Sequence, residues 1–258
     1  MKGRLYLVPA PLDFGCDPPL PPVTDVLSLA TLQHMARLQH WVCENARTLR
    51  ALLKRVDAVQ ALAQPVQRLD IREIPRAWHK KGDHLGGPDM ALTRELLAPA
   101  LQGQDMALAS EAGMPAVADP GASLVRAAHA LGIEVVPLVG PSSILLAVAV
   151  SGLNGQSFAF HGYLPHDPAA RATRLRGLEQ TAWATGQSQW WIETPYRNQA
   201  MVQHALQVLR PSTLLCVASG LTLAASRITT GSVKILRQQN TNEIAGVMPA
   251  LFGLASDA

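Results

Sequence analysis

Apolar residues in this chain come in short runs, each closed by a cluster of glycine, proline or small polar residues. Leu5 to Val8 reads as a strand, and the proline-rich stretch Pro9 to Pro22 behind it excludes helix interior. Val26 to Leu38 is helical in pattern, and His40 to Cys43 is again a short strand. From Glu44-Asn45-Ala46-Arg47 a helix begins. Its apolar stripe is Leu49, Leu52, Leu53 and Val56, and its basic stripe is Arg47, Arg50 and Lys54. Leu69 to Ile74 alternates like a half-buried strand. The polar stretch Arg76 to Asp83 is a candidate lid or substrate loop, and Pro88 opens a helix through Leu92, Leu96 and Leu101.

The stretch Asp105 to Ser151 organises the rest. Met106 to Ala109 is an apolar strand that stops at Ser110-Glu111-Ala112-Gly113. Asp119-Pro120 predicts a helix start with Asp119 as cap, and Leu124, Val125, Ala128 and Leu131 supply its apolar face. Ile133 to Leu138 is expected to be a second buried strand, ending at Gly140-Pro141-Ser142-Ser143. The helix Ile144 to Val150, apolar all round, is expected to be buried. Strand, loop and helix in alternation predict an α/β unit with a parallel sheet. Its loops lie at the carboxyl ends of strands, where open sheets of this kind bind ligands.

Gly152-Leu153-Asn154-Gly155 is turn-rich and marks the expected boundary between domains 1–152 and 153–258. Beyond it, Ser157 to Gly162 is strand-like, and Asp167-Pro168 starts a helix carrying Arg171, Arg174 and Arg176. Gln189 to Ile192 is a strand, and Thr194-Pro195 opens another helix. Leu214 to Ala218, Arg227 to Thr230, Val233 to Leu236 and Val247 to Leu254 read as strands. Strand following strand predicts a mixed sheet for this half.

Composition narrows the class. With 258 residues, 48% hydrophobic and 16% charged, the chain can bury a proper core and is not disordered. Its apolar runs are too short to span a bilayer, and a strand-like start at Arg4 does not read as a signal peptide. Cys16, Cys43 and Cys216 are scattered, as reduced thiols of a cytoplasmic protein are, and the histidines lack ligand spacing. Neither a membrane nor a metal is expected. A net charge of +3 permits a nucleic-acid partner without arguing for one. A GxGxxG fingerprint is absent, which excludes an ordinary dinucleotide site.

Candidate chemistry collects on the loops. Helix starts at Ser142 and near Pro120 offer free N–H groups and a positive dipole end to a carboxylate or phosphate, although any single start is ordinary capping. Glu111 at a strand end suits an amine, a ribose or a sulfonium, and Ala112, Gly113 and Ala116 allow a ligand close to backbone. The basic stripe of the Glu44 helix is either a solvated face or a phosphate contact.

The blocks SEAGMPAVADPG, VVPLVGPSS, SGLNGQSFAFHGYLP and IETPYRN resemble, in order, those of the tetrapyrrole methylase superfamily, the class III S-adenosylmethionine (SAM)-dependent methyltransferases. Within it they resemble the branch of ribosomal RNA small-subunit methyltransferase I, which methylates a ribose 2′-hydroxyl of 16S rRNA. The resemblance runs from Leu5 to about Leu254. It implies two α/β domains with SAM in the cleft between them, a homodimer, and no metal requirement.

Carried onto this chain, the first loop puts Pro9 beside the cofactor and Leu12 beside substrate. Ser110, Glu111, Ala112, Gly113, Met114 and Pro115 take the position that holds the ribose and amino-acid portion of SAM. Pro141, Ser142 and Ser143 match the helix start beside it. Ile192, Glu193 and Thr194 match the strand end over the adenine, with Pro249 and Ala250 near it. Glu44 is the first candidate for the base that takes the ribose proton and Glu193 the second; Arg47 and Arg197 are candidates for holding phosphate.

The chain departs from the family in places. Glu44-Asn45-Ala46-Arg47 stands where an acidic pair and Thr-Arg are common, and Ser219-Gly220-Leu221-Thr222 where Arg-Glu-Leu-Thr is usual. A counterpart of the small extra C-terminal domain of many rRNA-methylating members is not expected in this sequence. Methyl transfer is therefore the expectation, with RNA as acceptor; a tetrapyrrole or other small molecule, or SAM binding without catalysis, is the alternative.

Overall fold

The computed structural model describes residues 1–13, 15–75 and 90–257, in two compact units, Met1–Pro141 and Ser142–Ala258. The stretch 76–83, read above as a lid or substrate loop, and Pro88 lie outside the described residues.

The first unit is built on β1 (Arg4–Val8), α1 (Leu29–Arg37), β2 (His40–Cys43), α2 (Ala46–Asp57), β3 (Asp70–Glu73), α3 (Met90–Leu96), α4 (Ala98–Leu101), β4 (Met106–Ala109), α5 (Ala122–Ala130) and β5 (Glu134–Pro137). Its five strands run parallel in the order β3-β2-β4-β1-β5. A parallel sheet covered on both faces needs apolar side chains in both directions, and β4 has all four of its residues buried. One face packs Tyr6, Val8, Trp41 and Ala107 against α1 and α2; the other packs Leu5, Val42, Leu108 and Leu124 with α3 to α5.

Helix α2 shows how the local sequence does this. Asn45 Oδ1 accepts from the Arg47 N–H at 2.9 Å and starts the helix. Leu49, Leu52, Leu53 and Val56 are buried, each contributing roughly 1.5–3 kcal/mol of transfer free energy. Arg47, Arg50 and Lys54 stay exposed on the other face.

Three sequence expectations are corrected in the stretch 105–151. The helix there starts after Gly121, at φ +132°, and Asp119 does not cap it. The chain instead bends through left-handed Ala116 and Ala118 and carries Asp119 elsewhere. Strand β5 is not buried: among the described residues it stands at the edge of the sheet beside β1, and its Glu134 and Pro137 are exposed. The all-apolar helix α6 (Ser143–Ser151) buries Ile144, Ala147 and Val148 but exposes Leu145 and Val150.

The second unit begins with α6 and continues with β6 (Phe158–Phe160), α7 (Pro168–Thr185), β7 (Ser188–Glu193), α8 (Pro195–Val208), β8 (Leu214–Ser219), β9 (Arg227–Ser232), α9 (Val233–Leu236), α10 (Thr241–Ala245) and β10 (Ala250–Ala255). Helix α6 packs on β8, β9 and β10, so the structure divides before it rather than at residue 152. Gly152, in the left-handed region, is that helix's C-cap. The sheet is mixed, in the order β6-β7-β10-β8-β9, with only β6 and β7 parallel. Trp191 stacks on Phe252 with centroids 5.5 Å apart, and the two are register partners across β7 and β10. The segment Val233–Leu236, expected as a strand, is one helical turn. Ser232 accepts from the Ile235 N–H, and Val233 and Leu236, three apart, both turn inward. No helix among the described residues is long and apolar enough to cross a membrane.

Candidate active site

Parallel register brings several sequence candidates to one edge of the first sheet. Val8 and Cys43 both stand opposite Ala109, so the next residues along the three strands, Pro9, Glu44 and Ser110, emerge side by side. The loops after β1 and β4 are tied together: Ala10 and Gly113 exchange two backbone hydrogen bonds of 2.9 Å each. Gly113 sits at φ +75°, which its lack of a side chain makes cheap. A Cβ at Gly140 would lie 2.2 Å from Pro9 Cγ, so only glycine lets the loop after β5 rest against the proline loop. Pro9, Leu12, Ala112, Met114, Pro115 and Pro141 belong to these same loops.

Three carboxyl groups meet here. The Glu111 N–H donates to Glu44 Oε1 at 3.4 Å. Thr48 Oγ1 lies 3.0 Å from Glu111 Oε1 and 2.9 Å from the Asn45 carbonyl, so its single proton serves one acceptor at a time. Burial pushes the Glu44 carboxyl up to about 7; the charges of Asp119 and Glu111 add to this, and the Glu111 N–H opposes it. Burial likewise pushes Asp119 up to about 7, with the nearby Ser110 hydroxyl opposing and Glu111 adding. The Ser110 residue is 8% exposed, yet among the described residues its hydroxyl finds no partner of good hydrogen-bond geometry.

Beside this group opens a hollow of about 160 Å³ lined by Ala10, Pro11, Asp13, Thr48, Leu52, Arg55, Ser110 and Glu111. Its wall carries a well-buried Asp13 paired at 2.8 Å with Arg55, whose guanidinium also donates to the Pro21 carbonyl. Arg47, the phosphate candidate, lies on the exposed face of α2.

In the second unit, Ile192 and Glu193 end β7, Thr194 is the N-cap position of α8, and Ala250 pairs in register with Glu193, so Pro249 is at the same edge. Glu193 is fully buried and its carboxylate sits 3.1 Å from Arg197; burial raises its pKa and Arg197 opposes the rise. Arg197 also donates to the carbonyls of Leu164 and Pro165. Ser142 is the N-cap position of α6 and Ser143 its first residue, without a side-chain cap bond.

Sequence reasoning passed over Asp119, Thr48 and the Asp13–Arg55 pair. Asp-Pro is a helix-start signal that points Asp119 to capping, and only the left-handed turns before it redirect the side chain. Thr48 carries no motif at all. Asp13 shares the proline loop with a second carboxylate, Asp17, and only the pairing with Arg55 tells the two apart.

The model of a family described as tetrapyrrole (corrin/porphyrin) methylases matches residues 42–236. Among curated proteins, the chain is 31% identical over 236 residues to the ribosomal RNA small subunit methyltransferase I of Mesorhizobium japonicum, covering 92% of this chain and 69% of that one. It is 33% identical over 152 residues to the protein of the same name from Xylella fastidiosa, covering 59% and 54%. The match to that of Halalkalibacterium halodurans is 29% over 208 residues, covering 81% and 61%. The chain thus spans between about half and 69% of the length of these relatives. Among solved structures, the uroporphyrin-III-C-methyltransferase of Thermus thermophilus superposes with a TM-score of 0.54 at 19% identity, over 98% of this chain and 94% of that one. The methyltransferase CobJ superposes with a TM-score of 0.56 at 16% identity, over 99% and 95%. At such identities these two establish the fold.

Proposed function

The chain belongs to the tetrapyrrole methylase family and is a methyltransferase, and on that premise we propose that it transfers the methyl group of S-adenosylmethionine to a ribose 2′-hydroxyl of RNA, ribosomal RNA of the small subunit being the acceptor its relatives' names carry. The observation that carries the proposal is the half-buried Glu44 carboxyl just after β2, facing Glu111 and Asp119 at the edge of the loops described above, where burial and their charges push it up to about 7.

The residues of the first unit fit such a cofactor. Gly113 and Gly140 let the loops after β1, β4 and β5 pack closely at the strand ends, and the Ser110 hydroxyl stands beside the Asp119 carboxyl. Glu111, steadied by Thr48, offers a negative charge to a sulfonium or an amine. Ala112, Gly113, Met114 and Pro115 supply backbone groups, with Pro9 and Pro141 as apolar walls. Bound S-adenosylmethionine supplies a methyl group activated by its sulfonium. The protein's part is to align an acceptor with that methyl and keep water away, tasks for Pro9 and Leu12. Glu44 Oε takes the proton of the attacking hydroxyl; a carboxyl poised near neutrality is a competent base without being permanently protonated. Glu193, already paired with Arg197, serves less well as a base, which favours Glu44. Ser142, Ser143, Ile192, Glu193, Thr194, Pro249 and Ala250 are the cofactor candidates of the second unit, and Arg47 and Arg197 the phosphate candidates. The same reading carries a cytoplasmic homodimer, which sedimentation equilibrium checks.

The test is transfer from S-adenosylmethionine labelled in its methyl group, offered total RNA, isolated small ribosomal subunits and uroporphyrinogen. Label in RNA that is lost with Glu44→Gln supports the proposal. Label only in the tetrapyrrole would replace RNA by a small-molecule acceptor. Binding without transfer to any of them would leave a SAM-binding protein, and absence of binding would sink the reading.

A further inference from the structure

Three arginines of the second unit are held by histidines. Arg171 Nε donates to His204 Nδ1 at 2.6 Å, Arg174 Nη2 stands 3.0 Å from His161 Nδ1, and Arg197 Nη1 stands 3.2 Å from His166 Nε2. His161 Nε2 in turn lies 2.7 Å from Gln189 Oε1, which fits a neutral ring that donates to the amide and accepts from Arg174. Burial and the charges of Arg171 and Arg176 hold His204 below its ordinary value, so it too accepts as a neutral ring. Among the described residues neither Arg171 nor Arg174 has a carboxylate at ion-pair distance; Arg197 has one in Glu193, whose buried carboxylate also feels the charge of Arg171.

This choice of partner has an electrostatic consequence. A carboxylate would orient a guanidinium and cancel its charge. A neutral imidazole orients it and leaves the charge standing, at lower entropic cost for a ligand that comes later. Fixed, uncancelled cations suit a polyanion. The three pairs join the loop 161–166, which follows β6, to the first two turns of α7 and to Arg197 and His204 of α8, the helix that follows β7. Two exposed aromatic rings belong to the same segments. Tyr196, 80% exposed, precedes Arg197, and Tyr163, 58% exposed, precedes Leu164, whose carbonyl accepts from Arg197.

We propose that this face binds single-stranded RNA, with Arg171 and Arg174 on successive phosphates and Tyr163 and Tyr196 as platforms for unpaired bases. Cations spaced along a surface hold a backbone without reading sequence, and exposed rings stack only on bases that are out of a duplex. The inference rests on the proposed RNA methyltransferase activity and deepens it, by naming an unpaired segment as the form of RNA engaged.

The experiment is fluorescence anisotropy with a labelled single-stranded RNA 20-mer and the same sequence as a duplex, across a salt series, on the full chain. Calorimetry with S-adenosylmethionine runs alongside. The wild type is expected to bind the single strand at least tenfold more tightly than the duplex. Removing two phosphate contacts with Arg171→Gln and Arg174→Gln should reduce the slope of log K against log salt by about 1.4. Tyr196→Ala should weaken binding roughly tenfold and leave that slope unchanged. Cofactor binding should be unaffected in all variants. Equal affinity for duplex and single strand overturns the proposal, as does an unchanged slope in the double variant. Arg174→Gln alone, at an exposed position, keeps the test alive should the double variant not fold. Failure of the methyltransferase reading would appear separately, as loss of cofactor binding in the wild type.

Discussion

Glu44 and Asp119 each keep a carboxyl where burial resists its charge, so both ionise near pH 7. Between about pH 4 and pH 7 the folded chain therefore holds protons that the unfolded chain has released. Stability falls as pH rises through that window and has lost this contribution above it. Glu44→Gln should consequently raise the unfolding free energy at pH 8 by on the order of 1–2 kcal/mol, after allowance for partial solvent screening, while abolishing methyl transfer. Denaturant melts at pH 5 and pH 8 check this, and a variant no more stable at pH 8 would remove the buried charge from the account. Turnover should rise with pH to a midpoint near 7 that belongs to the coupled carboxyls together. Asp119→Asn removes a neighbouring negative charge and should move that midpoint to lower pH, a shift that loss of packing alone would not produce. Thr48→Val takes away the donor that steadies Glu111; about tenfold weaker binding of S-adenosylmethionine is expected by calorimetry, and an unchanged Kd would take Thr48 out of the site.

At the scale of elements, the two sheets depend on glycines where another residue already fills the space. Gly253 in β10 faces the six-membered ring of Trp190, which a Cβ would meet at 2.6 Å in a fully buried position. Gly253→Ala should destabilise the protein by about 1–3 kcal/mol through overpacking, read as a lower urea midpoint. Gly140→Ala meets Pro9 instead, in a loop of the candidate site, and should weaken S-adenosylmethionine binding more than it lowers the melting temperature. Strands and long helices were readable because their signals are local: the α2 stripe, the Asp167 cap at Ala170 and the proline at the start of α8 all stand in the structure where the pattern puts them. Misreadings came where a local signal competes with packing. Asp119-Pro120 looks like a helix start, but the left-handed turns at Ala116 and Ala118 postpone the helix. Val233–Leu236 is apolar enough for a strand, yet the Ser232 cap closes it into a turn.

For the whole molecule, a bound cofactor is a source of stability. If S-adenosylmethionine binds the folded chain alone, a hundredfold excess over Kd adds about 2.7 kcal/mol, and the melting temperature should climb with ligand concentration. A melting temperature indifferent to the ligand would contradict the proposed function. The sequence by itself determined the α/β class, the parallel first sheet, the mixed second one and the loops that carry chemistry. These follow from periodicity, caps and turn residues, which act over a few neighbours. Ordered blocks also made the family legible, because ligand-facing loops keep their residue types in runs. Tertiary structure alone decided that Glu44, Glu111 and Asp119, far apart in the chain, stand together, that Thr48 steadies one of them, and that histidines hold the arginines of the second unit. The reason is physical: charge, burial and register act between residues brought near by strand order, and strand order is set by how whole faces pack rather than by any local run of residues.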